Sequence, residues 1–217
     1  MPSSSGLESI RKDYRLQSLL EKDVDAYPIK QFETWWQHAI ESAIDEPNAM
    51  TLSTSTPDGK PSSRIVLLKG ISDNGFVFYT NYHSRKGRQI EVNPFVSIVF
   101  FWKELERQVR IEGEIKKISS GESDEYFSKR PLESRIGAWS SPQSSVIVNR
   151  ELLDKNVADY TNKFVGSQHI PRPPHWGGYI VTPTLVEFWQ GRRGRLHDRL
   201  QYTPVENDTW QIERLAP

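Results

Sequence analysis

The spacing of apolar residues predicts a long helix followed by a series of strands in the first half of the chain. The apolar residues after Gln31 recur at helical spacing and predict an amphipathic helix, ended by Pro47, whose apolar face contains Phe32, Trp35, Trp36, Ala39, Ile40, Ala43 and Ile44. Runs rich in apolar and β-branched residues then predict strands at 50–55, 62–69, 76–81, 95–102 and 107–118. Residues 1–30 are polar and have no strong period, which predicts a flexible N-terminal arm with one helical turn.

The second half of the chain predicts helices that flank further strands. Ser84 begins a short basic helix, and Ser119 with Glu122 forms a capping box for a helix that extends to residue 129. Pro131 suits the first residue of another helix, and residues 149–164 predict one more. Later strands are predicted at 179–182, 185–190, 200–203 and 210–214. The pattern predicts a mainly β fold with flanking helices (α+β), in which a strand meander closes into a barrel and residues 31–217 form one domain.

Composition restricts the function mainly by exclusion. The 217 residues include 28 basic and 28 acidic side chains, and this zero net charge argues against a general nucleic-acid binder. The chain contains no cysteine, which excludes disulfides, thiol catalysis and thiolate metal sites. Because no apolar run is long enough for a membrane span or a signal peptide, we expect a cytoplasmic protein without membrane association.

Several familiar cofactor and catalytic motifs are missing from the sequence. It has no Walker loop, no GxGxxG motif and no GxSxG elbow. Its five histidines lack metal-ligand spacing among themselves or with paired acids. We therefore predict no metal site.

Two clusters of basic residues are candidate anion sites in the first half of the chain. In RIVLLK (64–69), Arg64 and Lys69 lie at the two ends of an otherwise apolar strand, where they either extend to solvent or meet a buried anion. In SRKGR (84–88), a helix N-terminus, the Ser84 hydroxyl and the charges of Arg85 and Lys86 suit a phosphate. The alternative is a solvated helix start, which would place cations at the unfavourable end of the helix dipole.

Two further clusters combine arginine with hydroxyl or aromatic groups. Tyr126, Arg130 and Ser134 recur every four residues, and the first two are expected on one helical face, where they either hold a second phosphate or face solvent. The segment EFWQGRRGRLHDR (187–199) gathers four arginines and a histidine beside a tryptophan. This set can bind an anion and cover a flat ligand, although it also suits a solvated turn. Together the clusters indicate two phosphorylated, flat ligands close to each other.

The chain resembles the pyridoxine (pyridoxamine) 5′-phosphate oxidase family from about Arg11 to Pro217. The motifs that carry the resemblance are RIVLLK, FYTNYHSRKG, NPFVSIVFFW, ERQVRIEG, YFSKRP, IGAWSSPQS, PPHWGGY, EFWQGRRGRLHDR and the terminal RLAP, in order and at similar spacing. The resemblance implies an FMN-binding split β-barrel and a homodimer with two FMN sites at the subunit interface. It also implies oxidation of pyridoxamine or pyridoxine 5′-phosphate to pyridoxal 5′-phosphate, with dioxygen as electron acceptor and release of hydrogen peroxide.

The same resemblance assigns residues to the FMN cofactor. Those expected to bind FMN are Arg64, Ile65, Val66, Leu67, Tyr79, Thr80, Ser84, Arg85, Lys86 and Gln108. Those expected to reach FMN from the partner subunit are Gln143, Ser144, Trp189 and Arg199.

Substrate-binding and catalytic residues are implied in the same way. The expected phosphate ligands are Lys69, Tyr126, Arg130 and Ser134. The residues expected at the pyridine ring are Arg195, Leu196 and His197, and the segment expected to fold over the active site is Arg11, Lys12, Asp13 and Tyr14. Arg195 and His197 are the expected catalytic residues, which orient the ring and compensate developing charge. The general base stays open, because His197 can accept a proton but hydride loss from an unprotonated amine needs no strong base.

Three other functions are compatible with parts of the sequence. A flavin-dependent reductase that uses a nicotinamide donor would not need Tyr126, Arg130, Ser134 or RLHDR. A non-enzymatic carrier of pyridoxal phosphate would not need the FMN set. A nucleic-acid binder conflicts with the zero net charge and would show steep salt dependence.

Overall fold

The computed structural model describes residues 13–207 and 209–217. The helices in these ranges are α1 (Pro28–Glu41), α2 (Arg85–Val92), α3 (Ser120–Ser128), α4 (Leu132–Ser140) and α5 (Arg150–Phe164). The strands are β1 (Ala49–Ser55), β2 (Pro61–Leu67), β3 (Gly70–Ser72), β4 (Gly75–Asn81), β5 (Phe95–Trp102), β6 (Arg107–Lys117), β7 (Trp176–Gln190), β8 (Asp198–Pro204) and β9 (Trp210–Arg214). The α+β composition predicted from the sequence is confirmed.

The strands belong to one sheet in the order β2-β1-β5-β6-β7-β4-β3, with β8 paired to β7 and β9 paired to β8. The pairs β1–β2, β3–β4, β4–β7, β7–β8 and β8–β9 are antiparallel. A hairpin turn at Asn74 and Gly75 joins β3 to β4, and Gly75 has a φ of 141°, a conformation that favours glycine.

The chain folds into two compact units that are not contiguous in sequence. The terminal unit comprises the described residues of Met1–Pro47 together with Val99–Ile111 and Thr184–Pro217. The central unit comprises Asn48–Ile98 and Glu112–Pro183. Strands β5, β6 and β7 contribute residues to both units. That residues 31–217 act as one domain stays a prediction.

Helix α1 supplies the apolar face that packs in the terminal unit. Phe32, Trp35 and Ala39 are almost fully buried, and the Phe32 ring lies 5.0 Å from that of Phe100. The helix ends at Glu41, earlier than the predicted stop at Pro47. The N–H of Ile44 bonds to the Ala39 carbonyl and that of Ala43 to the Ile40 carbonyl, while Ala43 takes a positive φ of 50°. These two hydrogen bonds end the helix without a glycine. Ala43 and Ile44 therefore do not extend its apolar face.

An apolar cluster in the central unit positions helices α3 and α4. Its buried members are Phe127, Ile136, Ile170 and Trp176. The predicted capping box at the start of α3 is confirmed, because the Ser119 hydroxyl accepts from the Glu122 N–H and the Glu122 carboxylate accepts from the Ser119 N–H. Pro131 is the N-cap of α4 and not its first helical residue.

Strand β7 differs most from its sequence-based prediction. Two strands were expected at 179–182 and 185–190, but the structure has one strand of 15 residues, Trp176–Gln190, that contains Pro183. Residues 176–181 pair with β4 and residues 186–190 pair with β8. Pro183 therefore lies between these two paired stretches, where its missing N–H breaks neither set of hydrogen bonds.

Candidate functional site

The central unit contains a cavity of about 480 Å³ formed by strand ends, helices α3 and α4 and the loop after α4. It brings together many of the residues expected to bind the cofactor or the substrate. Those that line it are Ile65, Val66, Leu67, Lys69, Tyr79, Thr80, Lys86, Tyr126, Arg130, Ser134 and Gln143. Two features of this cavity concern positive charge.

The first feature is a buried ammonium group on helix α2. Lys86 is only 8% exposed, and its Nζ donates to Thr80 Oγ1 (3.1 Å), Gln143 Oε1 (3.2 Å) and Ser84 Oγ (3.4 Å). All three partners are neutral oxygens. Burial, with repulsion from Arg64, lowers the pKa of Lys86 to about 8. A buried cation without an anionic partner is unfavourable, so this position suits a ligand that carries negative charge.

The start of α2 is built to bring its backbone close to the preceding turn. The Ser84 hydroxyl accepts from the Gly87 N–H and caps the helix. A side chain at Gly87 would meet the Tyr82 carbonyl oxygen at 2.0 Å, so only glycine fits this position. The serine and glycine of SRKGR therefore set the geometry from which Lys86 enters the cavity, whereas Arg85 is exposed.

Arg64, on β2, is a second cation that has only neutral partners. Its guanidinium donates to Leu52 O (3.1 Å), Thr54 Oγ1 (2.7 Å) and Ser62 Oγ (2.7 Å). Burial, with repulsion from Arg85, lowers the pKa of Arg64. These bonds hold the side chain against its own sheet. Arg64 therefore does not extend freely to solvent, which was one of the two alternatives left by the sequence.

The second feature of the cavity is an arginine stacked on a tryptophan. The Arg130 guanidinium lies 4.5 Å from the centre of the Trp176 ring, and its Nη1 is buried without a hydrogen-bond partner among the described residues. Burial lowers the pKa of Arg130, while Tyr126 opposes that shift. The Tyr126 ring itself stacks on Tyr79 at 3.8 Å. An unpaired buried donor beside a cavity indicates a missing acceptor.

Tyr126, Arg130 and Ser134 come together in a way that their spacing in the sequence did not predict. All three line the cavity together with Lys69. They do not share one helical face, because α3 ends at Ser128 and α4 begins at Leu132. The turn between these helices brings the three side chains together, which spacing along a single helix could not show.

Gln143 lies differently from its sequence-based assignment. It was expected to reach FMN from the partner subunit, but its Oε1 contacts Lys86 and, at 3.3 Å, Thr80 of the same chain. The loop after α4 turns back across the ends of these elements. Its neighbour Ser144 has a φ of 69°, is exposed and does not line the cavity.

At the end of the basic segment of the terminal unit, Arg199 pairs with a buried carboxylate. Glu187 is 3% exposed, and its carboxylate accepts from Arg199 Nε (2.8 Å), Arg199 Nη2 (3.1 Å) and Arg110 Nη1 (3.0 Å). The hydrogen bond to Glu187 raises the pKa of Arg199. Glu187 was not among the predicted site residues. Its signal in the sequence is a single acid inside the apolar run Val186-Glu187-Phe188.

His197 lies among aromatic rings of the terminal unit. Its ring is 4.6 Å from that of Trp189 and 6.0 Å from that of Tyr14. The backbone N–H of Arg192 donates to His197 Nδ1 at 3.1 Å, so a neutral imidazole carries its proton on Nε2. Burial, with repulsion from Arg195, lowers the pKa of His197. The lowered pKa favours the neutral imidazole, which offers a donor at Nε2.

The remaining predicted residues are dispersed. Arg195 and Leu196 are exposed, Arg195 with a φ of 63°, and Gln108 is half-buried on β6. Asp13 pairs with Arg15 at the start of the described chain, whereas Arg11 and Lys12 lie outside the described residues. Within residues 13–207 and 209–217 no three potential metal ligands cluster, and none of the helices could cross a membrane.

Comparison with known protein families matches two adjacent parts of the chain. The family model described as pyridoxamine 5′-phosphate oxidase matches residues 36–164. A second family model, the pyridoxine 5′-phosphate oxidase C-terminal dimerisation region, matches residues 176–217. The pyridoxine/pyridoxamine 5′-phosphate oxidase of Cyanothece sp. (strain PCC 7425 / ATCC 29141) is 54% identical over 97% of this chain and 98% of that protein. The protein of the same name from Paraburkholderia xenovorans (strain LB400) is 54% identical over 98% of this chain and all of that protein.

Solved structures show the same fold. PhzG from Burkholderia lata 383, solved in complex with tetrahydrophenazine-1-carboxylic acid, superposes with a TM-score of 0.86 at 32% identity over 93% of this chain and 99% of that one. A pyridoxamine 5′-phosphate oxidase-related, FMN-binding protein from Nostoc punctiforme PCC 73102 has a TM-score of 0.68 at 18% identity over 93% and 100%, which bears on the fold alone. The fold is the predicted split-barrel class with flanking helices. With both family models and these relatives in agreement, the chain belongs to the pyridoxine/pyridoxamine 5′-phosphate oxidase family.

Proposed function

We propose that this protein uses FMN to oxidise pyridoxamine 5′-phosphate and pyridoxine 5′-phosphate to pyridoxal 5′-phosphate, with dioxygen as the electron acceptor. The observation that carries the proposal is that one cavity contains two separate cations, Lys86 and Arg130, whose charge no carboxylate neutralises among the described residues. A cofactor phosphate and a substrate phosphate would supply the two missing anions.

The residues around Lys86 fit the phosphate end of FMN. The Lys86 ammonium and the capped N-terminus of α2 offer positive charge and N–H donors. The adjoining backbone and side chains of Ile65, Val66 and Leu67 form a wall along which a flat ring system can lie. Gln143 adds an amide from the same chain. Bound FMN would supply the redox chemistry, by accepting a hydride equivalent and returning two electrons to dioxygen.

The residues around Arg130 fit the phosphate of the substrate. The Arg130 Nη1 has no partner among the described residues, and the Lys69 ammonium and the hydroxyls of Tyr126 and Ser134 line the same cavity. A phosphate offers acceptor oxygens for all four groups. Stacking on Trp176 fixes the plane of the guanidinium before the ligand arrives, so little conformational entropy is lost on binding.

The overall reaction balances with water as co-reactant for the amine. Pyridoxamine 5′-phosphate loses a hydride equivalent and a proton at its C4′–N bond, water replaces the nitrogen, and the products are pyridoxal 5′-phosphate, ammonia and hydrogen peroxide. Pyridoxine 5′-phosphate loses the same two electrons and two protons from its alcohol. This chain contributes binding and orientation, since holding the phosphate at Arg130 fixes where the reacting carbon lies.

His197 and Arg195 would act at the pyridine ring as donors. His197 holds its proton at Nε2, because Nδ1 accepts from the Arg192 N–H, and its lowered pKa keeps the ring neutral. It would therefore donate a hydrogen bond to an oxygen of the substrate and would not remove a proton. Arg195 adds a positive charge that stabilises negative charge developing on the ring. In this assignment the reaction needs no protein general base.

We further propose that the active form is a homodimer. The C-terminal dimerisation region supports this assembly, and the resemblance assigns Trp189 and Arg199 to the FMN site of the partner subunit. Arg199 already binds Glu187 through Nε and Nη2, so that carboxylate would fix the guanidinium before it meets FMN. The gel-filtration mass of the FMN-loaded protein checks the dimer.

A steady-state assay tests the proposed function. The FMN-loaded protein is supplied with pyridoxamine 5′-phosphate in air, and oxygen uptake, hydrogen peroxide and pyridoxal 5′-phosphate are measured together. We expect the three quantities in equal amounts. Oxidation of a nicotinamide donor without any pyridoxal phosphate would instead identify a flavin reductase, and turnover of a carboxylated ring without phosphate would indicate a substrate class closer to that of PhzG.

A further inference from the structure

Glu106 is a buried acid, in the turn between β5 and β6, that the proposed chemistry does not use. It is 3% exposed and adopts a left-handed φ of 54°. Its Oε2 accepts the backbone N–H of Arg15 at 2.8 Å and that of Leu16 at 3.2 Å. One carboxylate oxygen thus holds two consecutive peptide groups that lie about ninety positions earlier in the chain, through bonds strengthened by its charge.

The next residue, Arg107, binds Gln17 of the arm. Its Nη2 donates to Gln17 Oε1, its Nε to Gln190 Oε1 (2.9 Å), and its Nη1 contacts His38 Nδ1 (2.9 Å). The guanidinium also lies 4.3 Å from the centre of the Trp35 ring. Burial lowers the pKa of Arg107 to about 10, so it remains a cation at neutral pH. Two neighbouring residues therefore anchor three consecutive residues, 15 to 17.

These anchors fix the position of Tyr14. The Glu106 carbonyl accepts the Gly191 N–H at 2.8 Å, and the Tyr14 ring rests on Gly191 so closely that an added Cβ would lie 2.6 Å from Tyr14 Cγ. From that position the ring contacts Trp189 edge-on at 5.7 Å and approaches His197. Glu106 thus connects the arm and the strand end next to His197 through a single residue.

We propose that Glu106 is a positioning residue for substrate binding: it anchors the arm so that Tyr14 stays beside His197. This inference rests on the proposed function. Glu106 itself touches neither substrate nor cofactor in this account. It acts through Tyr14, so its loss should change the affinity for substrate and leave FMN binding unchanged.

A second anchor provides a matched control. Beyond residue 18 the arm is held separately, because Asp198 Oδ2 accepts the Leu19 N–H (3.1 Å) and Arg214 binds both the Leu19 carbonyl (2.9 Å) and Glu21. Glu21→Gln removes a carboxylate from this distal anchor while the backbone bonds of Leu19 remain. It should therefore leave Tyr14 in place.

Limited proteolysis tests the anchor without relying on activity. The FMN-loaded wild-type protein and the Glu106→Ala, Glu106→Gln and Glu21→Gln variants are treated with trypsin, and cleavage of the Arg15–Leu16 bond is followed by mass spectrometry. We expect about tenfold faster cleavage in Glu106→Ala, a smaller increase in Glu106→Gln, which keeps one acceptor oxygen, and the wild-type rate in Glu21→Gln. Equal rates in all four proteins would overturn the anchor.

Kinetics with pyridoxamine 5′-phosphate test the positioning role. Glu106→Ala should raise KM by about tenfold with little change in the Kd for FMN, and Gly191→Ala, which displaces the Tyr14 ring directly, should do the same. The Tyr14→Ala/Glu106→Ala double variant should be no worse than Tyr14→Ala, because both changes remove one interaction. A faster arm cleavage with an unchanged KM, or additive effects, would overturn the role of Glu106. A wild-type protein that forms no pyridoxal phosphate would refute the proposed function and this role with it, while proteolysis would still decide the anchor.

Discussion

The cavity of the central unit and the terminal unit both contain lysine or arginine side chains that are at least partly buried. These cations differ in their partners, which are neutral groups in the cavity and carboxylates in the terminal unit. In the cavity, Lys86 binds only neutral oxygens and Arg130 Nη1 binds nothing among the described residues. In the terminal unit, Arg199 pairs with the buried Glu187, and Arg214 pairs with both Glu21 and Asp198.

The difference shows that the partners of a cation, and not the cation alone, determine how it can meet a ligand. A buried cation that lacks an anion destabilises the folded chain, so its presence indicates an anionic ligand. A cation such as Arg199, whose donors are matched to a buried carboxylate, is held in place, so that only its remaining donors can meet a ligand. The sequence displays the two clusters alike, and only the fold separates them.

The largest effect of a substitution is expected at Arg130. Arg130→Leu should lower kcat/KM for pyridoxamine 5′-phosphate by about 1,000-fold, because it removes a buried, pre-oriented phosphate ligand, and should leave the Kd for FMN unchanged. Arg135→Leu is the control, since Arg135 also has a buried nitrogen without a partner but does not line the cavity. A comparable loss in both variants would show that structural damage, and not phosphate binding, is the cause.

Lys86, the other cation of the central cavity, should affect the binding of the cofactor instead. Lys86→Met should weaken FMN binding by about 100-fold, measured by the recovery of flavin fluorescence on dilution, because the charge that meets the cofactor phosphate is lost. Lys129→Met, at an exposed lysine paired with Glu125, should bind FMN like the wild-type protein. If riboflavin and FMN bound the wild-type protein equally well, Lys86 would not be a phosphate ligand.

The terminal unit should respond in stability. Glu187→Gln removes the carboxylate that the partly buried Arg199 binds through Nε and Nη2, and should lower the free energy of unfolding of the apo-protein by about 2 kcal/mol. Urea denaturation of the apo-protein measures this loss. Glu125→Gln, at an exposed pair, should change stability by less than about 0.5 kcal/mol. An unchanged free energy of unfolding in Glu187→Gln would mean that this carboxylate does not stabilise the folded apo-protein through Arg199.

The smallest effect should appear in the pH dependence of FMN binding. Burial lowers the pKa of Lys86 to about 8 in the free protein, and phosphate binding favours the charged form. The affinity for FMN should therefore be highest below pH 8, where Lys86 is charged, and should fall above it. The expected decrease between pH 7 and pH 9 is about tenfold. Fluorescence titration of the apo-protein at a series of pH values measures the change. Lys86→Met should abolish this dependence, and a wild-type affinity independent of pH in that range would contradict the assignment.

Local sequence signals predicted the elements that depend on neighbouring residues. The capping box at Ser119 and Glu122 and the strand that contains the start of RIVLLK each involve groups a few positions apart, and the structure contains both, although the strand ends at Leu67 and not at residue 69. The basic clusters could be recognised for the same reason, because several charges in one short segment need either solvent or an anion.

Features that depend on distant partners could not be predicted. Pro183 is accommodated inside one strand because β4 pairs on one side of it along the chain and β8 on the other. Glu106 reaches the backbone of Arg15 across 91 positions, and nothing local marks it as an anchor. The neutral surroundings of Lys86 likewise come from Thr80 and Gln143, which are far apart in sequence.

The most direct test is an anaerobic titration of the FMN-loaded protein, followed by admission of air. The flavin absorbance is recorded as pyridoxamine 5′-phosphate or its dephosphorylated form is added. We expect the phosphorylated substrate to bleach the flavin at concentrations about 1,000-fold lower than pyridoxamine, with colour returning in air and pyridoxal phosphate released. A flavin bleached equally by both forms would contradict a substrate phosphate site at Arg130, and one bleached by neither would contradict the proposed oxidase.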